Sequence, residues 1–162
     1  MKIVFICVLL AIVVVMVLLF TPLGERPLSA LFRVGDFETV DFEDLQLTDE
    51  PNQFLVCPPD LCEGHAESPV FDMPVEKLRE RWRNVIAAQP RVEVLTENDQ
   101  QIDCVQQSAR FRFPDIVTVR FVSVSPLQST LAIYSRSVYG KSDFGVNRER
   151  IESWLSALGG GT

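Results

Sequence analysis

Between Tyr134 and Arg150 the chain reads Tyr-Ser-Arg-Ser-Val-Tyr-Gly-Lys-Ser-Asp-Phe-Gly-Val-Asn-Arg-Glu-Arg. Arg136, Lys141, Arg148 and Arg150 supply cationic donors, and Ser135, Ser137, Tyr139 and Ser142 supply hydroxyls. Asp143, with Asp115 upstream, supplies carboxylates. The segment runs into the expected start of a helix, whose free N–H groups attract anions. Such a set could hold a small phosphate or carboxylate ligand, or act on an anionic substrate. It could equally brace the fold. Asp143 and Asn147 would then cap the turn, and Arg136 would pair with Asp115 or Asp143. An enzyme should show a cleft with convergent polar groups, whereas a structural module should show the same residues paired with one another. No segment matches a reaction-bearing motif, so no catalytic residue and no cofactor are assigned.

The cysteines and the single histidine offer a second chemistry. Cys57-Pro-Pro-Asp-Leu-Cys62 has four intervening residues, not the two of a thiol oxidoreductase. A local Cys57–Cys62 disulfide is the leading expectation, with Cys104 a buried free thiol. Pairing of Cys104 with either partner stays open, because spacing cannot fix connectivity. Cys57, Cys62, His65 and Cys104 have the ligand types of a zinc site. The spacing is loose, and an oxidising compartment would compete for the thiols, so no metal is assigned. His65 stands in a Pro-rich loop without a partnered serine or cysteine and reads as a loop residue.

The elements that must position these residues follow from periodicity. Gln53–Cys57 is a brief apolar run and a predicted strand, ended by Pro58-Pro59. A helix is predicted from Pro74, with Val75, Leu78, Trp82 and Val85 or Ile86 at helical spacing and Gln89-Pro90 as its stop. Four strands follow over Arg91–Thr96, Gln101–Phe111, Ile116–Val124 and Thr130–Ser135, joined by short turns that favour an antiparallel meander. A last helix is predicted from Asn147 as N-cap, with Val146 and Ile151 as a hydrophobic staple and Ile151, Trp154, Leu155 and Leu158 as its stripe. Gly159-Gly160-Gly161 ends it. The simplest packing is α+β: an antiparallel sheet of about five strands with two helices on one face.

Ahead of this domain, Ile3–Phe20 is an unbroken apolar run of 18 residues preceded by Lys2. At about 1.5 Å rise per residue it reaches roughly 27 Å, close to the hydrocarbon thickness of a bilayer. An uncleaved single-pass anchor is expected, with a cleaved signal peptide as the rival; no small-residue cleavage site follows Phe20. Lys2 and the terminal amine argue for a cytoplasmic N-terminus and a domain outside the cytoplasm; the inverted orientation is the alternative. Three parts are expected: an anchor over 1–24, an acidic juxtamembrane linker over 25–50, and a soluble domain over 51–162. A short helix is expected around Leu28–Arg33. Residues 25–72 hold 12 acidic and two basic residues, and residues 73–162 hold 10 acidic and 12 basic ones. The acidic stretch is either a solvated linker or an arm docked on the domain's own arginines. No clustered basic face of the kind that binds nucleic acid is present in the sequence.

The Tyr134–Arg150 stretch resembles the signature of domain-of-unknown-function family 1499: an Arg-Ser pair, a Gly, Ser-Asp, Gly-x-Asn and closely spaced arginines before a terminal helix. Pro51-Asn52 and Phe113-Pro114-Asp115 also look like markers of that family. The resemblance spans about residues 50 to 158. It implies no activity, cofactor or substrate, and points to an envelope or organelle-membrane setting. The combined expectation is a single-pass protein of the bacterial inner membrane with its domain in the periplasm. There it would be a binding or structural module, with an envelope protein or a small anionic ligand as partner; the rival is an enzyme using the Ser135–Arg150 loop.

Overall fold

The computed structural model describes residues 2–20, 34–35 and 37–159, apart from the side chains of residues 3 and 18–20. Helix α1 spans Lys2–Phe20. Its described side chains are Lys2 and residues 4–17, and among the described residues no helix is long and apolar enough to cross a membrane. The membrane span expected over Ile3–Phe20 therefore has no support there. The short helix expected around Leu28–Arg33 lies outside the described residues.

The domain follows as β1 (Gln53–Cys57), β2 (Ala66–Glu67), α2 (Val75–Ala87), β3 (Val92–Glu97), β4 (Gln101–Gln107), β5 (Pro114–Ser125), β6 (Gln128–Ser137) and α3 (Val146–Leu158). The six strands form one sheet in the order β2-β1-β6-β5-β4-β3. β3 to β6 make the expected antiparallel meander, and β1 pairs antiparallel with β6. The sheet is mixed rather than wholly antiparallel, because β2 runs parallel to β1. The chain turns back after Cys57, and the His65 N–H donates to the Leu55 carbonyl at 2.8 Å, which starts the parallel pairing. β2 has only two residues, both exposed, so no side-chain pattern announces it.

Alternation along the strands sorts side chains to two faces. One face carries Phe54, Val56, Ile102, Cys104, Val117, Val119, Leu131 and Ile133 and is covered by α2 and α3. The helices contribute Leu78, Trp82 and Ile86, and Ile151, Trp154, Leu155 and Leu158. Trp82 and Trp154 meet edge-on at 5.5 Å, an arrangement favoured by the ring quadrupoles. Both helices on one face is the arrangement expected from their stripes.

The second face is covered by residues 37–50. Phe42 is fully buried there among Leu55, Cys57, Ala132 and Tyr134, with Val40, Leu45 and Leu47 packed around it. Arg120 pairs with Glu43 at 3.2 Å and lies 3.8 Å from Asp41. Of the two readings of the acidic stretch, this segment follows the docked one: an apolar layer laid on the sheet and fastened to an arginine. The exposed ion pairs add little, because solvent screens them; burying Phe42 is the larger contribution.

Candidate functional site

β5, β6 and the start of α3 converge at one end of the sheet. Asp115 and Ser137 are register partners at that end. On β6, Ser135 and Ser137 follow Leu131 and Ile133 onto the helix-covered face, while Arg136 follows Ala132 and Tyr134 onto the arm-covered face. This alternation separates residues that the sequence places side by side.

Asp115, Ser135, Asn147 and Arg150 meet on the helix-covered face, all of them buried. Arg150 Nη2 donates to Asp115 Oδ2 at 2.5 Å, and the two side chains are 5% and 9% exposed. Arg150 Nη1 donates to Ser135 Oγ at 2.7 Å and to Asn147 Oδ1 at 2.5 Å. Arg150 Nε donates to Gln106 Oε1 at 2.7 Å. Ser135 Oγ donates to Asn147 Oδ1 at 2.6 Å. Asn147 Nδ2 donates to the Asn52 carbonyl at 2.8 Å and to Ser137 Oγ at 3.2 Å. One cation, one carboxylate and their neutral neighbours are thus turned inward on one another, which is the condition for a buried charge pair to be tolerated.

Three expectations need correction. Asn147 is not the N-cap of the last helix. α3 begins at Val146 and its cap position is Gly145, left-handed at φ 86°. The orphan amides are served by Asp143, whose carboxylate accepts from the Gly145 N–H at 3.0 Å and the Asn147 N–H at 2.7 Å. Asn147 is then free to point inward. Val146 is exposed while Ile151 is fully buried, so they form no staple. Arg136 pairs with neither Asp115 nor Asp143, because its side chain lies on the other face. It sits over the Tyr134 ring at 5.2 Å, and its Nη2 donates to the Glu38 carbonyl at 3.4 Å. Its buried Nη1 has no hydrogen-bond partner. Burial pushes the Arg136 guanidinium below its ordinary pKa, with Tyr134 and Asp103 opposing. Tyr139, also expected in the site, is exposed.

Arg136 and Tyr134 form part of a cavity of about 600 Å³ between the arm and the sheet, with Phe37, Glu38, Val40 and Ile116 among its walls. A second cleft of about 400 Å³ lies at the same end, bounded by Glu50, Phe54, His65, Asp143 and Arg148. His65 Nδ1 accepts the Leu55 N–H at 3.0 Å, and its ring stacks on Phe54 at 5.3 Å. Burial, with Arg148 nearby, lowers the His65 pKa. These contacts give it the role of a loop fastener.

Cys57 and Cys62 form a disulfide with Cα atoms 5.8 Å apart. Cys104 is a buried free thiol whose pKa burial pushes up to about 12. It faces the helix-covered core while Cys57 faces the arm, so the sheet separates them. Among the described residues no three His, Cys, Asp or Glu side chains are grouped to hold a metal ion.

Sequence reasoning missed Gln106 and Asn52 as partners in the network, and a buried carboxylate on the arm-covered face. Asp103, 1% exposed, accepts from Thr118 Oγ1 at 2.6 Å and Thr96 Oγ1 at 2.8 Å. Strand alternation was the available signal for Gln106 and Asp103; Asn52 contributes only a backbone carbonyl to Asn147.

A family model described as "Protein of unknown function (DUF1499)" matches residues 46–158, and the chain belongs to that family. The match takes in β1 to α3, the disulfide and the polar network. No curated protein matches the sequence.

Proposed function

We propose that this member of the family is a single-pass protein of the bacterial inner membrane whose α+β domain stands in the periplasm as a binding or structural module. The module reading is carried by one observation: Arg150, Asp115, Ser135 and Asn147 spend their hydrogen bonds on one another and on Gln106, Ser137 and Asn52. A group so engaged is poorly placed to take a substrate.

The anchor reading rests on α1. The large apolar side chains described from Val4 to Val17 are exposed on all sides. A helix apolar all round requires an apolar surrounding. The described part is short of a span, but counting the sequence through Phe20 gives an apolar run of 18 residues, enough for about 27 Å of helix. Two features favour the periplasmic side: Lys2 ahead of the run, and the Cys57–Cys62 disulfide, which fits an oxidising compartment. Alkaline phosphatase fused to the C-terminus tests both. It should be active, and the fusion should stay in the membrane pellet after alkaline extraction. An inactive phosphatase with a fluorescent cytoplasmic-type fusion would reverse the topology, and release into the supernatant would remove the anchor.

A second reading is favoured by Arg136, which lines the cavity under the arm and whose Nη2 makes one long bond, to the Glu38 carbonyl at 3.4 Å. A small carboxylate with an apolar body could use that donor and the walls of Phe37, Val40 and Ile116. Thermal stabilisation of the wild-type chain by such a compound, absent in Arg136→Met, would support this reading over the purely structural one.

A further inference from the structure

We infer that the end of the sheet formed by the β4–β5 and β6–α3 loops is a membrane-facing tip that lies against anionic lipid headgroups. This inference rests on the anchor reading above and adds which end of the domain meets the bilayer.

Three independent observations converge on that end. The first is chain entry. Val34 and Gly35, which follow α1 in the sequence, share the cavity walls with Arg136 and Val138 at the end of β6. From there the arm runs away along the sheet: the Val40 carbonyl accepts from Gln101, and Glu43 pairs with Arg120. A domain tethered by α1 thus receives its tether at this end.

The second is what the loops present. The β4–β5 loop exposes Phe111 and Phe113, and the β6–α3 loop exposes Tyr139 and Phe144. The Val138 N–H donates to the Pro114 carbonyl at 3.1 Å, which joins the two loops. Phe144 is 94% exposed and held at φ 56°. A bulky residue in the left-handed region is strained. Here that strain holds an aromatic ring in solvent. The positive-φ residues other than glycine among the described residues are Arg91, Arg112 and Phe144, and all three belong to this end. Aromatic rings gather at the membrane–water interface, where an apolar ring and a polar edge are both satisfied.

The third is charge. Arg91, Arg110, Lys141 and Arg148 are exposed at this end. Asp143 there is turned inward to the start of α3. Glu50 pairs with Lys141 at 3.4 Å, a surface contact that phosphate groups can replace, and Glu38, Asp49 and Glu149 are the exposed acids against which these cations stand. The opposite end carries Asp60, Glu63, Glu67 and Asp72 within residues 58–72, which hold no lysine or arginine; at Asp99 the charge is offset by Arg79, which donates to the Asp99 carbonyl and pairs with Glu97. Basic residues near an anionic surface are each worth about 1 kcal/mol, and the acidic end is repelled, so the charge asymmetry orients the domain tip-down.

The test uses the full chain reconstituted in phosphatidylglycerol-rich and in phosphatidylcholine vesicles, read by hydrogen exchange and mass spectrometry. Peptides covering 109–113 and 139–145 should exchange roughly tenfold more slowly in the anionic vesicles. The double variant Phe144→Ser, Lys141→Glu should lose that slowing with its melting temperature unchanged, since both side chains stand in solvent. Equal exchange of the tip in the two vesicles would overturn the proposal, as would protection of residues 58–72 instead. Protection in detergent that grows with protein concentration would mean a second copy of the chain, and would also overturn it. Alkaline extraction of the same vesicles separates the two readings: a retained chain with an unprotected tip defeats the tip alone, while a released chain with an unprotected tip defeats both.

Discussion

Arg150 and Arg136 come from the same segment yet serve opposite faces of the sheet, and their surroundings are unlike. Arg150 uses Nε, Nη1 and Nη2 on Gln106, Ser135, Asn147 and Asp115. Arg136 has an aromatic ring below it, one long bond to the Glu38 carbonyl and a buried Nη1 with nothing to bond. Among the described residues no carboxylate is within ion-pair distance of Arg136, whereas Asp115 lies at 2.5 Å from Arg150. The first face was closed by a helix that carries its own polar partners at positions 147 and 150. The second was closed by an irregular arm whose described residues bring apolar side chains and the Glu38 carbonyl, but no carboxylate within ion-pair distance, to Arg136. The comparison teaches where this fold is finished and where it has spare bonding capacity.

The sharpest way to break the comparison is to remove the carboxylate. Asp115→Ala leaves the Arg150 charge buried without its counter-ion, which should cost about 3–5 kcal/mol. Arg150→Met removes the charge as well, so the double variant should lose less than the sum of the single ones, since the partners act as a unit. Chemical denaturation of the four proteins measures this. A loss below about 1 kcal/mol for Asp115→Ala, the level of a surface pair, would mean that this face is held by its apolar core alone.

The framework was readable in the sequence because it rests on long, strongly patterned elements. Gln53–Cys57 is a strand over the expected residues, and the stripes of Trp82 and Trp154 lie on the sheet. The local disulfide was readable too, from a short loop stiffened by Pro58-Pro59. The network was harder. Asp115, Ser135, Asn147 and Arg150 were singled out, but Gln106 and Asn52 were not, and the residues were joined wrongly, because Arg136 looked like the partner of Asp115. Fixing the face from Leu131 and Ile133 would have turned Ser135 inward and Arg136 outward. On α3, residues three apart lie on one side, so Asn147 and Arg150 would then have been read as a pair. Asn147 as a cap failed for a local reason. Gly145 takes a left-handed backbone that lets Asp143 reach both free amides. Asparagine's preference for cap positions is a statistical signal, and a carboxylate two residues ahead of the cap glycine overrode it. The arm was ambiguous because its acidity hides the alternation of Val40 and Phe42.

A smaller effect tests what fastens the arm-covered face. Cys57 packs against the Phe42 cluster, and its disulfide closes a loop of only a few residues. Constraining so short a loop should contribute about 2 kcal/mol through the unfolded chain. Cys62→Ser should therefore lower stability by about that amount without altering the Arg150 network. Exchange of the Ser135 and Asn147 amides in that variant, compared with that of the β1 amides, checks the point. Equal loosening of both faces would show that the two are coupled through the sheet.

The smallest effect in size, and the most informative in sign, is at Arg136. Removing a charged residue from a folded core usually destabilises. Here the side chain is half-buried, Asp103 compensates it only from beyond ion-pair distance, and one of its donors is unused. An unmet buried donor costs about 1–3 kcal/mol, against which stand the contact with the Tyr134 ring, about 1 kcal/mol, and one long bond to a carbonyl. Methionine would keep the apolar stem and lose both the unmet donor and the desolvated charge. Arg136→Met should therefore leave stability unchanged or raise it by up to about 1 kcal/mol, the opposite sign from Arg150→Met. A loss of more than about 1 kcal/mol in Arg136→Met would show that Arg136 fastens the arm as Arg150 fastens the helix, and the asymmetry between the two faces would be gone. A gain would mean that stability does not account for a cation at that position, and would favour a ligand that meets Arg136 in the cavity beneath the arm.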